Sequence, residues 1–228
     1  MKILVSRRIL PGITGKTSFD LQKKIFEAQK LKIKKVALFL EFLNKKERKK
    51  IYSTLLGSKI KKIPFCHIRH DMSKQELIFL RKKFKIKYFN THEDYYKHKK
   101  EWKDFSNKML IEFNYNNKIP KELDISQVAG FCIDLSHFKA SQERWTKEFF
   151  YVIKRHKFHK LFIANHLNGY SKKRKRDLHT VKSLKELDYL KTLPKFVFGK
   201  YIALEMFNSI KEQLKFKKYI VKILRNKL

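Results

Sequence analysis

With 228 residues the chain is long enough for one large hydrophobic core, and its 56 lysines and arginines against 21 acids give a net charge of +35. Such an excess predicts a polyanionic partner, nucleic acid above all, although an AT-rich coding bias toward lysine is an alternative source of part of it. No apolar run reaches the roughly 18 residues of a membrane-spanning helix, and the apolar run at residues 1–6 is too short for a signal peptide.

The use of cysteine indicates the compartment. Cys66 and Cys132 both lie inside apolar, strand-like runs, so the sequence implies no disulfide framework. We therefore expect a protein of the reducing cytoplasm that does not associate with membranes. We also expect a monomer with no organic cofactor.

Strand-like and helix-like patterns alternate along the chain. The predicted strands cover residues 3–6, 36–42, 62–69, 86–91, 109–114, 130–137, 161–166 and 201–207. Helices are predicted at residues 19–31, 45–56, 93–105 and 142–155, and capping boxes at 73–76, 183–186 and 209–212 open three more. A polar loop is predicted at residues 167–182.

Eight strands alternating with helices favour an α/β protein whose parallel sheet closes as a single (β/α)₈ TIM barrel over residues 1–228. A doubly wound sheet is the alternative, but it would gather its site at one crevice. Here polar residues follow several strands at equivalent positions. In a barrel, the carboxyl ends of all strands meet at one mouth, so the barrel explains this distribution better.

Four polar residues end the last four predicted strands: Glu112, Asp134, His166 and Glu205. Three carboxylates at one mouth would repel one another unless a divalent cation neutralised them. The alternative is that each is an ordinary rim residue paired with a lysine. Four such residues at equivalent strand positions favour the cation.

Further imidazoles extend this set. His92 ends the fourth strand, His137 follows Asp134 by three residues, and Asp177 and His179 lie two apart in an extended segment. The third strand offers His67 or His70. Because its apolar alternate residues belong under the helices, the alternation of side chains favours His67 inside the barrel, with His70 as the alternative.

These segments resemble the endonuclease IV group of apurinic/apyrimidinic endonucleases, within the xylose-isomerase-like barrel superfamily. The resemblance covers the whole chain and is strongest over its second half. The segments that carry it are Ile111-Glu112-Phe-Asn, Gly130-Phe-Cys-Ile-Asp134-Leu-Ser-His137, His166-Leu-Asn with Asp177-Leu-His179, and Leu204-Glu205-Met-Phe-Asn208.

The resemblance implies a cluster of up to three zinc ions and cleavage of DNA at abasic sites. His92, Glu112 and a third-strand histidine would hold one ion, and Glu112 would bridge to a second ion held also by Asp134, His166 and Glu205. His137, Asp177 and His179 would hold the third. Catalytic roles fall to Glu112 and Glu205. When residue types are aligned, the family's His-Asp pair on this strand matches His70-Asp71. This match disagrees with the strand alternation, which favours His67.

The chain departs from the family in lacking the early histidine, since Val5-Ser6-Arg7 stands where the first strand is predicted, and in its shorter length. The alternative function is therefore a sugar (phosphate) isomerase or epimerase of the same superfamily. It would use a single Mn²⁺ or Mg²⁺ held by Glu112, Asp134, His166 and Glu205. A third hypothesis is a basic barrel that binds nucleic acid without catalysis.

A basic run lies in the predicted loop beside the third set of ligands. It could hold a phosphodiester backbone, or it could be a solvated charge run. Its members are Lys172, Lys173, Arg174, Lys175 and Arg176.

Overall fold

A computed structural model describes residues 2–225 and 227–228. Among them the strands are β1 Ile9–Ile13, β2 Ala37–Phe39, β3 Phe65–His67, β4 Tyr88–His92, β5 Met109–Glu112, β6 Gly130–Asp134, β7 Phe162–Leu167, β8 Gly169–Ser171, β9 Arg176–Leu178 and β10 Tyr201–Leu204. Eight of them form a closed parallel barrel in the order β1-β10-β7-β6-β5-β4-β3-β2. The predicted (β/α)₈ TIM barrel is confirmed.

Helices and short 3₁₀ segments connect the strands. The α-helices are α1 Lys2–Arg8, α2 Ser18–Lys30, α3 Lys45–Leu56, α4 Lys74–Phe84, α5 Leu135–Arg144, α6 Lys147–Ile153 and α7 Ile210–Leu224. The 3₁₀ segments are Glu93–Lys100, Lys103–Lys108, Ile125–Gln127, His159–Leu161, Leu184–Lys191 and Lys195–Val197. In the described part of the chain, no helix combines the length and apolarity needed to cross a bilayer.

Local capping residues explain where several helices begin. The boxes predicted at residues 183–186 and 209–212 are both present, with reciprocal bonds between side chains and backbone. At 73–76 only half of the box forms. The Ser73 hydroxyl accepts the Glu76 N–H, but the Glu76 carboxylate pairs instead with the buried guanidinium of Arg48, at 2.7 Å.

The strand predicted at residues 3–6 is wrong, because these residues belong to α1 and the first barrel strand is Ile9–Ile13. Pro11 and Gly12 hide this strand from a prediction based on sequence, because a Pro-Gly pair is typical of a turn. Gly12 is needed there because a Cβ would lie 2.0 Å from the carbonyl oxygen of Leu204 on the neighbouring β10. Val5, Ser6 and Arg7 therefore do not occupy the first strand, where the resembled family has a histidine. The actual first strand, β1, also carries no histidine.

Four other predicted elements differ from the structure. The helix predicted at 142–155 begins earlier, at Leu135, and is interrupted at Trp145, which has a left-handed φ of 53°. The sixth strand ends at Asp134, so that His137 lies in the first turn of α5. The polar loop 167–182 contains the antiparallel hairpin β8–β9, and the helix at 93–105 is two 3₁₀ segments.

The core has an inner and an outer part. Inside the barrel, alternate strand residues such as Leu10, Phe39, Phe65 and Cys132 form one buried cluster. The intervening residues face the helices and build the outer core, in which a fully buried side chain such as Leu38 contributes about 1.5–3 kcal/mol to folding. Both cysteines are buried and free.

Candidate metal centre

A polar layer lies directly on the apolar interior of the barrel. Five strands each carry a buried apolar residue inside the barrel and, two residues later, a polar side chain at the carboxyl end. Both side chains face the interior because strand side chains alternate with a period of two. The imidazole of His166 rests on the rings of Phe39 and Phe65, with centroid distances of 4.9 and 5.4 Å. The members of the layer are His67, Glu112, Asp134, His166 and Glu205.

Four of the predicted ligands form one compact buried group. One donor atom from each of Glu112, Asp134, His166 and Glu205 lies within 4.8 Å of the others. His166 Nδ1 is 2.9 Å from a Glu112 oxygen and 3.4 Å from a Glu205 oxygen. The Asn168 amide donates to Asp134 at 2.8 Å and to Glu205 at 3.2 Å, which fixes both carboxylates.

A second group shares Glu112 with the first. His67, His92 and Glu112 also bring donor atoms within 4.8 Å of one another. His67 Nδ1 is 3.7 Å from Glu112 Oε2, and the rings of His67 and His92 are 5.1 Å apart. Asn90 donates to Glu112 Oε2 at 2.8 Å. The Glu112 carboxylate thus lies between two sets of donors.

The two histidines near β3 have different surroundings. His67, which the strand alternation favours, is only 2% exposed and faces the interior. His70 lies at the rim, where its ring stacks on Tyr95 at 4.6 Å and 22°. The structure therefore brings His67, and not His70, next to Glu112.

The third predicted set lies at the rim and is looser. Asp177 and His179, from β9 and the residues after it, approach to 3.2 Å, and the Tyr115 hydroxyl donates to Asp177 at 2.6 Å. His137 Nδ1 is 3.2 Å from the carbonyl oxygen of Phe113, which favours the tautomer with Nε2 free. Among the described residues, these three do not form a group of the same 4.8 Å span.

Burial shifts the polar layer toward neutral side chains. Desolvation raises the pKa of Glu112, helped by Asp134, and raises the pKa of Glu205 as well. It also raises the pKa of Glu41 to about 8. Desolvation lowers the pKa of His92 to about 3 and that of His67 well below its usual value. Desolvation disfavours the charged form of both acids and imidazoles, so uncharged side chains are expected in a buried set of ligands before a cation is added.

Asp134 is the exception among the carboxylates. Desolvation alone would raise its pKa, but His137, His166 and hydrogen bonds outweigh it, so the pKa lies below its usual value. Its Oδ1 accepts the N–H groups of Ser136 and His137, both at 2.8 Å, as the N-cap of α5. Its Oδ2 faces the other ligands. Asp134 therefore keeps a negative charge more readily than Glu112 or Glu205.

The donor set fits a metal ion. Three buried imidazole nitrogens have no hydrogen-bond partner among the residues that the structure describes: His166 Nε2, His67 Nδ1 and His92 Nδ1. Buried polar atoms normally have a partner, so three such nitrogens beside carboxylates are well suited to ligation. Imidazole and carboxylate donors together are those that zinc uses in proteins.

The sequence analysis did not include several residues of this site. Glu41 follows Phe39 by two residues, as Glu112 follows Leu110, and one of its oxygens is 3.7 Å from His67 Nδ1. The same alternation would have identified it. Asn90 and Asn168, two residues from a ligand histidine, hold carboxylates in place.

A cavity of about 840 Å³ opens above the polar layer and is called the mouth cavity below. Its wall combines ligands with basic and aromatic side chains, among them Arg69, Tyr95, Tyr115 and Arg144. The guanidinium of Arg144 lies 4.8 Å from the centre of the Tyr115 ring.

The basic run 172–176 occupies the exposed turn and the start of the second strand of the β8–β9 hairpin. Arg144 donates to the carbonyl oxygen of Lys175 at 2.8 Å, which ties the hairpin tip to the wall of the mouth cavity. The five charges therefore lie beside the candidate metal centre. The chain matches no family model, no curated protein and no solved structure.

Proposed function

We propose that the chain is a metal-dependent phosphodiester hydrolase that resembles endonuclease IV and cleaves DNA at apurinic/apyrimidinic sites. The observation that carries this proposal is that Glu112 belongs both to the group with His67 and His92 and to the group with Asp134, His166 and Glu205. A carboxylate shared by two donor sets suits a bridge between two cations, and two-cation sites are common in enzymes that break phosphodiester bonds. A single-ion site would not need His67 and His92.

We assign His67, His92 and Glu112 to one zinc ion, and Glu112, Asp134, His166 and Glu205 to a second. His137, Asp177 and His179 are assigned to a third. Bound zinc ions would lower the pKa of a water molecule and, as Lewis acids, would polarise the phosphate. The carboxylates of Glu112 and Glu205 supply the negative charge that keeps the cations in place.

Other residues of the chain would bind and orient the DNA. Arg69 and Arg144 line the mouth cavity, where planar guanidinium groups can pair with phosphate oxygens. The exposed run 172–176 adds five positive charges at its edge, and the net charge of +35 attracts DNA from a distance.

A second candidate function is the single-ion sugar (phosphate) isomerase or epimerase. It is favoured by one observation, the looseness of the third set beside the compact group of four. Such an enzyme would need Glu112, Asp134, His166 and Glu205 with one Mn²⁺ or Mg²⁺, and it would leave His137, Asp177 and His179 without a role in metal binding.

Cleavage of a duplex with one abasic site, assayed beside sugar interconversion, separates the two functions. His179→Ala should reduce cleavage severely if the third set binds an ion, whereas the exposed His159→Ala should leave it unchanged. An isomerase should tolerate both changes. A parent protein that converts a sugar and nicks no abasic DNA would contradict the proposal.

Salt dependence tests the DNA interface. Neutralising residues 172–176 should flatten the log–log slope of DNA affinity against salt by about 0.9 for each lost phosphate contact. The matched control removes five exposed lysines at the opposite end of the barrel, before β2 and β3, with the same change in net charge. These control positions are Lys32, Lys34, Lys59, Lys61 and Lys62. Equal slopes for both variants would show attraction by net charge alone.

A further inference from the structure

A second cavity, of about 270 Å³, lies outside the candidate metal centre and is called the lysine cavity below. It is formed by the turn between β1 and α2 and by the turn that follows β10. Its wall includes Thr14, Lys16, Lys23, Lys24 and Phe207. Three ammonium groups around one small cavity suggest an anionic ligand.

The hydroxyl of Thr14 is the first sign that this cavity is a built site. Thr14 is fully buried and lines the cavity, yet its Oγ1 has no hydrogen-bond partner in the structure. A buried hydroxyl without a partner costs about 1–3 kcal/mol. An acceptor oxygen in the cavity would remove that cost.

Lys24 is the second sign. Its side chain is 5% exposed, which is unusual for lysine, and its Nζ donates to the carbonyl oxygen of Met206 at 2.6 Å. An ammonium carries three protons, and among the described residues this is its one hydrogen bond. Burial lowers the pKa of Lys24 to about 8, and a bound anion would counter that shift.

The two acids of the cavity already bind backbone groups. One Asp20 oxygen accepts the N–H groups of Lys16 and Thr17, at 3.1 and 3.0 Å. The Glu27 carboxylate accepts the first two N–H groups of α7, at 2.8 and 2.9 Å. Both acids are thus held by backbone donors, and Lys16 and Lys23 are exposed at the rim of the cavity.

We propose that the lysine cavity binds a phosphate group, with the Thr14 hydroxyl and the Lys24 ammonium as donors. The ring of Phe207 forms its wall and stacks on the ring of His179, at 5.0 Å and 18°. His179 in turn lines the mouth cavity. That this phosphate belongs to a substrate which also reaches the metal centre rests on the proposed function, and it is then either a neighbouring phosphate of a nucleic-acid backbone or the phosphate of a phosphorylated sugar.

The test is binding without turnover, so its result does not depend on the proposed hydrolase activity. Inorganic phosphate is titrated into the ¹⁵N-labelled protein as purified, at constant ionic strength, with acetate as the control anion. We expect saturable shifts at the amides of Thr14 and Gly15. Thr14→Val should weaken binding about fivefold and Lys24→Met tenfold or more, whereas Lys30→Met, an exposed lysine of the same helix, should change it less than twofold.

Thr14→Val keeps the proposal testable if Lys24→Met fails to fold. Shifts confined to the mouth cavity, shifts that never saturate, or equal shifts with acetate would each overturn it, as would unchanged affinity in Thr14→Val. Repeating the titration with ribose 5-phosphate and with the dinucleotide dTpdT identifies the source. Tighter binding of the first supports a sugar phosphate, and tighter binding of the second supports a nucleic-acid backbone.

Discussion

Replacing Glu112 with Gln should remove two metal ions while leaving the fold intact. The substitution keeps the shape of the side chain and retains an oxygen for Asn90, which now donates to Glu112 at 2.8 Å. The second contact, to His166 Nδ1 at 2.9 Å, is kept when the Gln amide donates to an unprotonated Nδ1. Burial already disfavours the Glu112 carboxylate, so losing its charge should not destabilise the metal-free protein.

The loss of metal affinity can be estimated from the charge that is removed. Two unit charges about 4 Å apart already interact by about 4 kcal/mol at an effective dielectric constant of 20, and a divalent cation held by the carboxylate interacts more strongly. That energy corresponds to roughly a thousandfold in affinity for each ion. Because Glu112 belongs to both groups, both ions should be affected.

The assay is metal content by plasma mass spectrometry, together with chemical denaturation of the metal-free protein. The parent should carry two to three zinc ions and Glu112→Gln at most one. His92→Ala and Asp134→Asn, each confined to one group built around Glu112, should lose one ion each. If Glu112→Gln loses no more metal than Asp134→Asn, Glu112 is not shared. A single Mn²⁺ or Mg²⁺ in the parent would favour the isomerase.

Three further predictions concern stability and reactivity. Desolvation raises the pKa values of Glu41, Glu93 and Glu205 to about 8, so the folded metal-free protein retains carboxyl protons that the unfolded chain loses. Each of these groups should therefore lower the free energy of unfolding by about 1 kcal/mol per pH unit from pH 7 to 8. Imidazoles with lowered pKa values oppose this fall mainly below pH 7, and Lys24 opposes it near pH 8 by less than the three carboxyls together. A constant free energy of unfolding in urea melts across this range would contradict the prediction. Glu76→Gln should cost about 1.5–3 kcal/mol, because it removes one of two carboxylates paired with the fully buried Arg48 while Asp71 still pairs with it at 2.9 Å, and an unchanged denaturation midpoint would refute this. Burial raises the pKa of the Cys66 and Cys132 thiols, so both should resist a disulfide reagent in the native protein and react once it is unfolded; fast native labelling would contradict the buried positions.

Local patterns in the sequence were sufficient for most of the barrel. The alternation of strands and helices predicted the closed parallel sheet, because each strand carries a run of apolar residues and each helix an apolar stripe. The predicted helix at 45–56 coincides with α3, where Asn44 caps the first turn. The strand ends also predicted which polar residues share the mouth, since parallel strands deliver their carboxyl ends to one side.

Local patterns failed where a long-range contact determines the conformation. Nothing near Pro11 and Gly12 indicates a strand, and only the close approach of β10 explains the glycine. The Glu76 carboxylate leaves its capping box because the buried Arg48, 28 residues away, offers a stronger partner. The break at Trp145 and the β8–β9 hairpin likewise were not anticipated.

The residue types of the candidate centre followed from the sequence, but their grouping followed only from the tertiary structure. Sequence order says that Glu112 ends a strand; it does not say that its carboxylate lies between His67 on one side and His166 on the other. That position depends on the order and register of strands around the barrel, which backbone hydrogen bonds between distant segments determine. The sequence by itself thus determined which residues reach the mouth, and the closed barrel decided which of them can bind the same ion.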